Sequence, residues 1–450
     1  MRFVKLAATT AALAAAAVLA ACGGSGSGSH AQLRLINATA SYASLDMTVN
    51  GTSIDTGVAF GAAGNYGSVD ITAASTQIIY AGTTVAYANP ALVGDNSYDL
   101  IAYGTPGNIH YVTIDENQTA PASGSASVNL VNLAPDAGAL DFYLLPANTA
   151  CTADNLANAS AASPVGGVAG GNGSGYISVT AGNYAVCVLA TGSKSDLRLS
   201  IATIALNSAS VNTIMATGTV GGVLVNGIGL VQGGSLTTYA TNTARLRVIG
   251  SLSGATTPTV AATFAGTPIA VTTPTPSIGD YVTVAAANSA VQVTVSPDGG
   301  ATPVALPAVS ANLTVGTDYT LLVWGSVSAP QTVLITDDNR LPTTAGTAKI
   351  RVINGVTNPN ASMSLIVDLA PTITNVAPGT ASTFATIPST ISGGTGSQLV
   401  VESPAYPGAN GVYTSPTTNI GNLGLYNVYV LNNPNLTSNN GIQVTVRKDR

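Results

Sequence analysis

Few residues in this chain have types and spacing suited to chemistry. There are two histidines: His30 beside a Gly/Ser run and His110 in the strand-like run NIHYVTI. Zinc sites built from His and Cys therefore lack ligands, and a Ser/His/Asp triad could use only His110. Nothing near it resembles a nucleophile elbow. The acidic pairs Asp115-Glu116 and Asp337-Asp338, each followed by asparagine, could offer oxygens to calcium, which takes about six to eight ligands in a compact loop. Their recurrence at two repeat ends allows a calcium-stiffened joint; a solvated linker is the plainer reading. Trp324, the single tryptophan, is read as a large side chain filling a core, with a sugar-binding platform as the alternative. The run GGNGSG lacks the lysine and following helix of a phosphate loop. The closing VRKDR reads as a solvated chain end. No cofactor and no metal site is implied.

The first thirty residues concern location. Arg2 and Lys5 precede the apolar run Leu6–Leu19, the layout of a secretory signal and too short for a good membrane span. Leu19-Ala20-Ala21-Cys22 resembles the bacterial lipobox, whose cysteine becomes a lipidated first residue. A Gly/Ser tether follows. With Cys22 lipidated, Cys151 and Cys187 remain, either as a disulfide suited to an exported protein or as two buried thiols. Joined, they would close a loop worth roughly 3.5–4 kcal/mol.

Composition narrows the class. Charged residues are 7% of the chain and hydrophobic ones 46%, with 49 glycines and 23 prolines. Many turns and no long helical period outside the leader predict an all-β protein. The net charge of −6 comes with no basic patch, which excludes nucleic acid as a partner.

The chain repeats itself four times. AQLRLINA from Ala31, ASVNLVNL from Ala126, ARLRVIGS from Ala244 and AKIRVING from Ala348 open alike. Their alternation places Leu33 and Leu35, Val128 and Leu130, Leu246 and Val248, Ile350 and Val352 on a buried face. Arg34, Asn129, Arg245, Arg247, Lys349 and Arg351 fall on the opposite face, expected to be wet. Asn50-Gly51 signals a hairpin. About seven strands per repeat predict tandem immunoglobulin-like β-sandwich domains. The organisation is a lipoprotein signal peptide at 1–21, a tether at 22–30, and sandwich repeats at 31–124, 125–242, 243–346 and 347–450. The second repeat carries an insertion from Pro146 to about Gly171, with a helical turn near Asp154, which a disulfide would pin to the sheet.

Pro135-Asp136-Ala137, Leu140-Asp141-Phe142-Tyr143, Ser174-Gly175-Tyr176 and Ala181-Gly182-Asn183-Tyr184 resemble the bacterial surface family catalogued as domain of unknown function 4397. The resemblance is good over repeat two, partial over repeat one and faint over repeats three and four. It implies β-sandwich repeats in exported, often lipid-anchored proteins, and no assigned reaction. Asp141 pairs with Asp46 of repeat one, while repeat three has Ala or Thr at that position and repeat four has Ser364 or a neighbour. Asp141 is therefore read as a turn cap, and Asp136 as a turn residue bonding its own backbone.

Together these features predict a protein held at a bacterial membrane by an N-terminal lipid, on the outer membrane or cell surface. Its expected role is structural, adhesive or binding, without catalysis, toward a surface glycan or protein partner. The alternative is a carbohydrate-binding or glycan-processing accessory protein.

Overall fold

Alternating β-branched and small polar residues, punctuated by glycine turns, fold here as strands throughout. The computed structural model describes residues 29–450 apart from 73–74, 158–164, 255–256, 300–301, 358–359, 391–394, 407–410, 416 and 437–440. The leader and Cys22 lie outside the described residues.

Repeat one shows the plan. Its strands are β1 (His30–Asn37), β2 (Ser44–Val49), β3 (Thr52–Ala59), β4 (Gly67–Asp70), β5 (Thr76–Tyr80), β6 (Thr83–Ala88), β7 (Ser97–Thr105) and β8 (Asn108–Asp115). They form two four-stranded sheets in the orders β4-β1-β7-β8 and β3-β2-β5-β6, eight strands where the sequence suggested about seven. Leu33, Leu35, Met47, Ile78 and Leu100 fill the space between the sheets. Asn50 and Gly51 both have positive φ, at 50° and 79°, the backbone that a two-residue hairpin of matching twist requires.

The other repeats keep the two-sheet plan with extra strands: repeat two adds Leu236–Tyr239 to its first sheet, and both sheets of repeat three and the first sheet of repeat four also have five strands. In each, the opening strand runs parallel to the penultimate long strand: β1 with β7, Ser125–Leu133 with Val211–Gly218, Thr243–Ser253 with Asp318–Ser326, and Thr347–Gly355 with Leu425–Asn432. The chain is thus an all-β tandem of two-sheet sandwiches.

The repeats are not beads on a string. Ile36, Ile101 and Tyr103, on the outer face of repeat one's first sheet, cluster with Val131, Leu133, Met215 and Ile228 of repeat two. Ile249 and Leu322 of repeat three likewise meet Ile353, Tyr429 and Leu431 of repeat four. These opening strands are buried on both faces, which explains why they read as nearly continuous apolar runs.

Polar side chains hold the turns. Asp141 accepts from the backbone N–H of Gly167 at 2.7 Å and of Gly192 at 2.9 Å; Asp46 accepts from Gly57 N–H at 2.6 Å, and Ser364 from Asn375 N–H at 3.1 Å. Asp136 does not tie the turn that carries it. Asn132 does, accepting from Ala134 N–H at 3.0 Å and donating to Gly138 O and Val168 O at 2.8 and 2.9 Å. Asn37 and Asn354 act the same way in repeats one and four.

Cys151 and Cys187 form a disulfide. The one-turn helix Ala153–Ala157 brings Leu156 against Tyr143, Leu145 and Leu189, on the outer face of repeat two's second sheet.

Candidate functional site

The arginines on the polar face of the opening strands are not wet. Arg34, Arg245, Arg247 and Arg351 are all buried, at 9%, 3%, 0% and 3% exposure. A buried guanidinium needs a charge partner and satisfied N–H groups. The neighbouring parallel strand supplies a carboxylate to Arg34 and Arg245 and a neutral acceptor to Arg247 and Arg351. The carboxylates of these last two, Asp449 and Asp337, come from the adjoining repeat. Arg34 grips Asp99 through Nε at 2.5 Å and Nη2 at 3.2 Å. Arg247 reaches Thr320 at 2.8 Å, and Arg351 reaches Asn427 at 2.5 Å. An aromatic ring then covers each guanidinium: Tyr66 at 4.4 Å, Tyr281 at 4.4 Å and Phe384 at 4.7 Å. Repeat two has Asn129 in the arginine's place, and there Tyr176 hydrogen-bonds Thr213 at 3.3 Å.

The densest polar cluster lies where repeats two, three and four meet. Arg245 binds Asp318 in its own repeat through Nε at 2.8 Å and Nη2 at 2.5 Å, and Asp196 of repeat two at 3.0 Å. Asp196 also takes Arg198 at 2.6 Å. Arg247 crosses to Asp449 of repeat four at 2.7 Å, and Arg447 bridges Asp449 at 2.9 Å and Asp280 at 2.5 Å. Arg450 donates to the carbonyls of Asp136 and Ala137 in repeat two. Burial, together with the charges of Arg198 and Arg245, draws the Arg450 guanidinium down to about 9. A cavity of about 410 Å³ opens beside these residues.

The family model described as a domain of unknown function, DUF4397, matches residues 31–143 and 244–363, more than half of the chain. The chain belongs to the DUF4397 family. Each DUF4397 match covers one whole repeat and the first strands of the next, so it takes in Pro135–Tyr143 but not the Ser174–Tyr176 or Ala181–Tyr184 segments. A comparison with curated proteins returns no match. Solved structures with similar chains include a candidate cell adhesion protein from Bacteroides ovatus ATCC 8483, 9% identical, covering 48% of this chain and 97% of that one. Its TM-score of 0.20 gives that likeness no weight on function.

The acidic pairs of this DUF4397 protein do form joints, but the joints contain no cluster of metal-ligand side chains among the described residues. Asp337 is buried and takes Arg351 of the next repeat at 2.6 Å, Tyr281 at 2.7 Å and Thr320 at 2.5 Å. Asp338 binds Arg340 at 2.7 Å and Lys349 at 3.0 Å; although burial opposes it, these partners pull Asp338 down to about 2. With their oxygens held by cations and hydroxyls, neither carboxylate is left as calcium requires, and the metal reading is withdrawn. Asp115 instead accepts from Asn117 N–H at 2.9 Å.

Glu116 accepts the N–H of Gly233 in repeat two at 2.7 Å. Burial and the nearby Asp99 carboxylate push it from its ordinary value near 4.5 up to about 7. Between those values the folded chain holds a proton that the unfolded chain has released. Stability from this site is therefore complete below about pH 4.5 and lost as pH rises through about 7. Glu116→Gln is expected to raise stability at pH 8 by on the order of 1–2 kcal/mol, allowing for screening, and to change little at pH 4. Urea unfolding at the two pH values checks this.

Trp324 fills no sandwich core and offers no open platform. It lies in the joint between repeats three and four, over Gly379, where a Cβ would fall 2.2 Å from its ring. Gly379 also has φ +71°. Gly379→Ala is expected to cost about 1–3 kcal/mol and to red-shift the single tryptophan's fluorescence as the joint loosens. His110 is exposed on β8, 5.6 Å from the Tyr103 ring, and among the described residues no carboxylate or hydroxyl bonds to it.

Proposed function

We propose that this DUF4397 protein is a lipid-anchored envelope protein whose tandem sandwiches form a non-catalytic structural or adhesive surface. The observation that carries the reading is the use made of its scarce charged groups. The opening-strand arginines of repeats one, three and four are buried against partners on neighbouring strands and in the joints. Side chains held this way fix repeats relative to one another, and a fixed array of like modules suits multivalent contact, where linked weak sites add avidity. Cys22 supplies the anchor, and the membrane that holds it is the outer membrane, with the repeats meeting a surface glycan or protein partner.

The test is metabolic labelling with an alkyne fatty acid, followed by membrane fractionation. Label on the wild type, and its loss with release to the soluble fraction in Cys22→Ser, is the expected result. An unlabelled wild type would remove the anchor. The surface role is checked by adding protease to intact cells: cleavage supports outward display, and full protection opposes it.

A further inference from the structure

We propose that the cavity where repeats two, three and four meet binds a small, neutral, hydroxyl-rich ligand of sugar size. The inference goes beyond the scaffold reading and does not depend on the anchor.

The cavity, about 410 Å³, lies within the range that holds small ligands. Most such sites are lined by apolar side chains, but this one is lined by Arg245, Arg447 and Arg450 against Asp196, Asp280 and Asp449. Three cations and three carboxylates balance, so neither an anion nor a cation gains a net attraction. A hydroxyl suits this lining because it donates to a carboxylate and accepts from a guanidinium at once. Ser193 and Ser195 extend the same chemistry along the rim.

The lining is also fixed before any ligand arrives. Arg245 is held by Asp318 and Asp196, and Arg447 by Asp280 and Asp449, which reduces the ordering cost of binding. Access is open on one side, where the Asp280 side chain is 88% exposed.

A joint alone does not require this arrangement. The contact between repeats one and two is made largely by apolar side chains, whereas repeats three and four add the ion pairs of this junction to their apolar cluster around Ile249, Leu322, Ile353 and Tyr429. Burying ion pairs costs desolvation that apolar packing avoids. This junction instead gathers five arginines in a chain that is 7% charged, and leaves a cavity among them.

The test uses the purified full chain with glucose, galactose and N-acetylglucosamine, read by saturation-transfer NMR and calorimetry. Glucuronate and glucosamine serve as the charged counterparts. At least one neutral sugar is expected to bind with a Kd of about 1 mM. Ser195→Trp, which crowds the rim, and Asp280→Ala, which removes an acceptor, should each weaken that binding by about tenfold or more without moving the unfolding midpoint. No response to any neutral sugar, undiminished binding in both variants, or a response to glucuronate alone would overturn the proposal.

Discussion

Asp318→Ala is expected to destabilise the protein by about 3–5 kcal/mol, the cost of stranding a buried charge. Asp318 is 0% exposed and accepts from Arg245 Nε at 2.8 Å, Arg245 Nη2 at 2.5 Å and Asn339 Nδ2 at 2.9 Å. Its removal leaves Arg245 with Asp196 as its carboxylate, and Asp196 is already shared with Arg198. The loss therefore spreads from one strand pair to the whole junction. Asp338→Ala is the matched comparison. Asp338 has a 44% exposed side chain, and ion pairs open to water contribute no more than about 1 kcal/mol. Guanidinium unfolding of both variants at neutral pH checks the contrast; equal losses would mean that burial does not set the strength of these pairs.

The Cys151→Ser/Cys187→Ser double variant is expected to lose roughly 3.5–4 kcal/mol, from the entropy returned to an unfolded chain whose 36-residue loop is no longer closed. A second effect adds to it. Tyr143 takes the outward position that Thr48 holds in repeat one, and it stays dry because Leu156 and the stapled insertion cover it. Without the staple, Tyr143, Leu145 and Leu189 gain access to water as the insertion lifts. Denaturant unfolding with and without reductant checks this, and reduced wild type should match the double variant.

The alternation of the four openings located the cores, because residues two apart must share a sheet face: Leu33, Leu35, Val128, Leu130, Leu246, Val248, Ile350 and Val352 are all buried. Periodicity separates two faces but does not say what covers the second. Arg34, Arg245, Arg247 and Arg351 were therefore expected in water, and the next strand and the next repeat bury them. The asparagines that tie the turns were visible as the last polar residue of INA, VNL and ING in three openings. Their role was missed because a buried side-chain amide leaves no signature beyond its position. The junction was harder to read. Asp449 and Arg450 looked like a solvated end, yet their partners Arg247 and Ala137 lie 202 and 313 residues away, and no local pattern carries such a separation.

The parallel pairing of opening and penultimate strands affects how the protein is made. Arg34 and Asp99 are 65 residues apart, and Arg245 and Asp318 are 73. A polypeptide delivered amino end first exposes each opening strand long before the neighbour that completes it exists. Throughout that interval the strand's edge groups remain unmatched, and contacts of such range form on the scale of milliseconds to seconds. Whatever delivers the chain must shelter that edge, four times over.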